Sequence, residues 1–89
     1  MTDDKTTDPR DAGMRAFFKS DFTQAFTLLL PCANAGDTHA QMLIARMYYA
    51  GNGVSKNMDQ YQYWLERAAE GGDKSARARL KRLKHLITK

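Results

Sequence analysis

Between Asn57 and Gly72 the apolar residues Tyr61, Trp64, Leu65, Ala68 and Ala69 recur at spacings of three and four, the pattern of a helix with one buried stripe. Asn57, with Gln60 three residues on, approximates a capping box and marks the helix start. Gly71–Gly72 marks its end, because glycine accepts the left-handed conformation that a helix terminus needs. Asp73 then caps a further helix whose stripe runs Ala76, Leu80, Leu83, Ile87. The same order occurs upstream. Asp21 caps, Ala25, Leu28, Leu29, Cys32 and Ala33 face inward, Gly36–Asp37 turns the chain, and a second helix carries Ala40, Ile44, Met47 and Tyr48. Pro31 falls late in its helix, where a missing donor and a clash with an earlier carbonyl bend or shorten the last turn. A leader helix over about Asp11 to Lys19 presents Phe17 and Phe18 and covers the N-terminal side. No segment alternates at the strand period, so the predicted class is all-α.

The two halves are copies. Offset by 36 residues, segment 24–47 meets 60–83 with seven identical pairs, among them Leu29/Leu65, Ala33/Ala69, Gly36/Gly72, Asp37/Asp73, Ala40/Ala76 and Arg46/Arg82. A fixed period of this size marks a stacked solenoid, in which each unit completes the nucleus of its neighbour. Ala33, Ala40, Ala69 and Ala76 flank the tight turns, where antiparallel helices approach closely and larger side chains would push them apart. Gly51 and Gly53 take positive φ on either side of Asn52 in the connection between units, and Val54 folds back into the nucleus.

The string Gly36-Asp37-x-x-Ala40-Gln41-x-x-Ile44-Ala45-x-x-Tyr48-x-x-Gly51-x-Gly53-Val54-x-Lys56-Asn57, continuing to Trp64-x-x-x-Ala68-Ala69-Glu70-x-Gly72-Asp73, resembles the Sel-one-like repeat (SLR), a relative of the tetratricopeptide repeat with a slightly longer period. The resemblance covers roughly residues 13–83. It implies a short right-handed superhelix of helix hairpins, the first helix of each pair lining a concave face, and a non-enzymatic adaptor that binds other proteins. Tyr61 stands where the family has a small Ala. Lys81 and Lys84 stand where it has Gly and Tyr, and no further linker follows, which fits a terminal cap facing water. The expected organisation is an acidic, polar, disordered tail over 1–10 and an SLR-type domain over 11–89. The domain divides into a leader (11–20), repeat one (21–56) and repeat two (57–89) with a basic capping helix.

Eighty-nine residues with 43% apolar and 27% charged side chains are too apolar for a disordered chain and enough for one small core. The first residues are acidic and polar, unlike a signal peptide, and the uncharged stretch from Phe22 to Gly36 is too polar to span a membrane. With a single cysteine, the chain reads as cytoplasmic. Charge is uneven: residues 1–45 carry four Lys/Arg against six Asp, and residues 46–89 carry ten against four. Lys74, Arg77, Arg79, Lys81, Arg82 and Lys84 fall in a run without an acid, available to phosphates or acidic surfaces, or simply a solvated helix end suited to the dipole.

Catalytic chemistry finds no foothold. His39 and His85 are far apart, and neither they nor Cys32 have metal-site spacing. Ser20, Ser55 and Ser75 lie at turns or helix starts and read as caps. Cys32 reads as a small hydrophobe on the inner stripe. Gly51-Asn-Gly-Val-Ser-Lys56 lacks the spacing and the preceding strand of a phosphate loop. No cofactor and no metal are expected. Gln24, Phe26, Gln60, Tyr61, Tyr63 and Arg67 remain on the first helices as a candidate concave binding face, rich in the Tyr and Arg that protein interfaces favour. Tyr61 and Tyr63 could equally fill gaps against a neighbouring helix. The expected function is a non-enzymatic protein–protein interaction module, acting as an adaptor or as an inhibitor of the immunity type, either monomeric or homodimeric. The alternative is a nucleic-acid-binding protein that uses the basic last helix.

Overall fold

The computed structural model describes residues 8–87, all five of whose elements are helices: α1 (Pro9–Phe18), α2 (Phe22–Asn34), α3 (Thr38–Ala50), α4 (Met58–Glu70) and α5 (Lys74–Ile87). Each helix packs against the next in sequence, which places α3 between α2 and α4. Of the tail expected over 1–10, residues 1–7 lie outside the described residues, and its far boundary needs correction. Asp8 Oδ1 accepts a hydrogen bond from the Arg10 amide at 3.0 Å, and Pro9 opens α1. An Asp cap followed by Pro is a strong start signal, because the ring presets φ and the missing donor is one that a helix start does not use.

Three of the four connections share one device. In each, a residue with positive φ follows the helix: Ser20 (67°), Gly36 (105°) and Gly72 (102°). Its amide donates to the carbonyl three residues back (Phe17, Ala33, Ala69), while the following Asp amide reaches the carbonyl five back (Ala16, Cys32, Ala68). This is the Schellman pairing, which satisfies carbonyls left open at a helix end. The same Asp then caps the next helix through its side chain, Asp21 to Gln24 N at 3.4 Å, Asp37 to Ala40 N at 3.1 Å and Asp73 to Ala76 N at 2.8 Å. Ser20 is therefore a C-terminal turn residue rather than the cap its type predicts. A non-glycine in this conformation costs about 1 kcal/mol, so Ser20→Gly is expected to raise stability by about 0.5–1 kcal/mol. Urea unfolding checks this, and an unchanged or lower midpoint would refute it.

The 36-residue period is also a period of hydrogen bonds. Gln41 Nε2 donates to the Ala33 carbonyl at 3.0 Å, and at the equivalent position Arg77 Nε donates to the Ala69 carbonyl at 3.3 Å. Two different side chains thus give a second donor to the equivalent carbonyl at the end of α2 and α4, beside the Gly36 and Gly72 amides. The capping box expected at Asn57 is only half formed. Asn57 Oδ1 accepts from Gln60 N at 3.0 Å, but the Asn57 amide donates to the Tyr48 carbonyl, tying the linker back to α3.

The core runs through α3, whose Ala40, Gln41, Leu43, Ile44, Ala45 and Met47 are all buried. Leu29 and Leu65 face it from α2 and α4, and the four alanines beside the turns are buried as the close helix approach requires. The leader contributes Gly13 and Ala16, with Phe17 half-buried. Phe18, expected on the covering face, is 70% exposed, because adjacent helical residues point about 100° apart. Pro31 does not shorten α2, which runs on to Asn34. Its carbonyl accepts from the Ala35 amide at 3.0 Å.

Candidate functional site

α4 carries an exposed aromatic residue, Tyr63. Its buried stripe is Tyr61, Trp64, Leu65, Ala68 and Ala69, so Tyr63 and Arg67, four apart, share an outer flank. Arg67 Nη1 donates to the Tyr63 hydroxyl at 3.2 Å, and Nη2 reaches the Asn34 carbonyl in the last turn of α2 at 3.5 Å. The guanidinium also lies over the Trp64 ring, 5.3 Å from its centroid, and over Tyr63 at 5.8 Å. A side chain with several rotatable bonds is thereby held between two units, while Tyr63 stays 45% exposed. Gln60 lies on this flank one turn earlier, half-buried, and Gln24 takes the equivalent exposed place on α2.

Two residues expected on this face are elsewhere. Tyr61 is buried, 7% exposed, and packs at a tilt of 47° against Tyr49 of α3 with centroids 4.9 Å apart. Its counterpart in the other unit is the small, fully buried Ala25. Phe26 is half-buried edge-on against Tyr48 of α3 at 5.8 Å. Being two residues from Gln24, it projects to the opposite side of α2. Of the candidate face, Tyr63, Arg67, Gln60 and Gln24 are the residues that lie on one side.

The basic run does not form one surface either. Lys74, Arg77, Lys81 and Lys84 recur at spacings of three and four along one flank of α5, and Arg79 and Arg82, three apart, take another. All six are exposed, but Arg77 is engaged with Ala69, and Arg79 and Arg82 line hollows beside α3 together with Tyr49 and Tyr61. Tyr49 and Met58, both exposed, were missed by sequence reasoning because neither belongs to a buried stripe. The available signal was Tyr49 three residues after Arg46, the repeat counterpart of Arg82.

Cys32 is half-buried, and its Sγ contacts the Leu28 carbonyl at 3.6 Å. Burial, and then the carboxylates of Asp37 and Asp8, push the thiol up from its ordinary value despite the opposing Arg10. The neutral thiol is the folded form at pH 7. Its alkylation by iodoacetamide should be slower than that of a free cysteine at pH 7 and should rise only at more alkaline pH; equal rates at pH 7 would contradict this. His39 and His85 are both exposed. Among the described residues no group of three or more His, Cys, Asp or Glu is placed to hold a metal ion, and no helix is long and apolar enough to cross a membrane.

No family model matches the chain, and no solved structure matches it. Over 64 residues it is 38% identical to the chitin synthase regulator SKT5 of Saccharomyces cerevisiae. The matched region is 72% of this chain and 9% of that protein, so the chain spans less than a tenth of the curated relative's length.

Proposed function

We propose that the chain is a non-enzymatic protein-interaction module, built as a short right-handed superhelix of Sel-one-like helix hairpins. It binds one partner protein through the α2–α4 face, as an adaptor or as an inhibitor. The observation that carries this reading is the Tyr63–Arg67 pair pinned to Asn34. An exposed aromatic and an arginine already held in place lose little side-chain entropy on docking, and these two residue types dominate binding energy at protein interfaces. The hydrogen bonds repeated at the 36-residue period support the hairpin-repeat architecture. A relative named as a regulator is compatible with an interaction role. Division of the basic run between two flanks of α5 weakens the nucleic-acid alternative, since fewer cations then face one phosphate backbone.

Affinity purification from lysate is expected to retain a stoichiometric protein partner and to lose it with the Tyr63→Ala/Arg67→Ala double variant. Retention that survives these substitutions would refute the assignment of this face. Retardation of duplex or single-stranded probes that weakens steeply with salt would favour the nucleic-acid reading instead.

A further inference from the structure

Away from Tyr63 and Arg67, two adjoining hollows lie along the helices, both bordered by α3, α4 and α5 and the second reaching α1 and α2 as well. One, of about 310 Å³, lies among Tyr49, Met58, Tyr61, Arg79, Arg82 and Leu83. The other, of about 410 Å³, shares Tyr49, Tyr61 and Arg79 and adds Phe17, Phe22, Arg46 and Asn52. Each is at the small end of the range that ligand pockets span. Three arginines border them, no acidic residue does, and α2, α3 and α5 contain no Asp or Glu at all. Among the described residues no ion pair engages Arg46, Arg79 or Arg82; Arg46 lies over the Phe17 ring at 5.5 Å.

The hollows are related by the repeat. Phe22 and Met58, each the first residue of its helix, occupy equivalent positions, and so do Arg46 and Arg82. Each unit therefore supplies one apolar side chain and one arginine to the same surface. A ligand that matches both hollows must repeat its own chemistry along its length: an apolar group, a negative charge, then both again.

We propose that this groove binds an acidic peptide segment in extended conformation. Its carboxylates pair with Arg46, Arg79 and Arg82, and its large apolar side chains enter the two hollows. Arginine suits carboxylates through its planar fork. Peptide is favoured over single-stranded nucleic acid because the ring faces that bases would stack on are already occupied. Tyr49 lies against Tyr61 at 4.9 Å with Lys56 Nζ over its ring at 5.8 Å, and Phe17 lies under Arg46. The proposal concerns other residues than Tyr63 and Arg67 and stands independently of that face.

The test is fluorescence anisotropy of the full chain with a short labelled peptide of Asp and Glu carrying Leu at every third position. Controls are an all-Asp peptide, a peptide with Lys replacing the acids, and a single-stranded DNA oligonucleotide. The acidic Leu peptide should bind tightest, and Arg79→Glu/Arg82→Glu should weaken it by about tenfold or more. Both positions are exposed, so the fold is retained, and circular dichroism verifies this. Tyr63→Ala/Arg67→Ala should leave this peptide's affinity unchanged. Failure of the acidic Leu peptide to bind, equal binding of the all-Asp peptide or the oligonucleotide, or insensitivity to the arginine reversals would each overturn the proposal.

Discussion

Gly53→Ala is expected to destabilise the protein by about 3 kcal/mol or more, a large part of the total for a domain of this size. Two costs combine. Gly53 has φ of 77°, where an L side chain is disfavoured by about 1–2 kcal/mol. A Cβ there would also sit 2.7 Å from the carbonyl carbon and oxygen of Phe22. Those atoms belong to the first turn of α2, so relief requires the linker to lift away from the helix it covers. Gly72→Ala separates the two costs. Its φ is 102°, but an added Cβ meets nothing within 4 Å, so only the conformational cost of about 1–2 kcal/mol remains. Urea unfolding of both variants measures the difference, and equal losses would show that the linker is not seated on α2.

Ile44→Ala carries the second large effect, about 3–4 kcal/mol, because deleting buried methyl and methylene groups loses transfer energy and leaves a cavity. Ile44 is fully buried in α3, which has a neighbouring helix on both sides. Its repeat counterpart Leu80 is 9% exposed on α5, which packs chiefly on α4. Leu80→Ala should therefore cost less, about 2 kcal/mol. Thermal or urea unfolding decides it. If the order reverses, the end helix is covered more fully than the single α4–α5 interface provides.

Near-neighbour chemistry was the legible part. An Asp that accepts from the amide three residues on is written in a few consecutive residues, and so is a glycine that closes the preceding helix. Asp21 and Asp73 cap as the sequence predicts, Asn57 caps without completing its box, and Asp37 caps the helix that follows its predicted turn. Ser20 departs from its residue type for the same reason: the type signals a cap, whereas its φ of 67° and the bonds from the Ser20 and Asp21 amides place it in the same kind of turn as Gly36-Asp37. The division of the basic residues was also present in their spacing, 74, 77, 81 and 84 against 79 and 82, since helical geometry alone sorts them.

Of the expected binding face, Tyr63 with Arg67 is a local pair at helical spacing, but its attachment to Asn34 depends on how α4 lies against α2. The fates of Tyr61 and Phe26 were decided by contacts outside their own helices, Tyr49 for one and Tyr48 for the other.

From the chain itself come the all-helical class, the 36-residue unit, the capped turns and most of each buried stripe (Leu28, Cys32, Tyr48 and Leu83 are only half-buried, and the side chain of Ile87 lies outside the described residues), because these depend on backbone geometry within one helix and its ends. Only the packed molecule decides which off-stripe residues are exposed, which helix is central and where arginines gather without acids. Those outcomes depend on rotations and separations between helices, and no periodicity within a single helix encodes them.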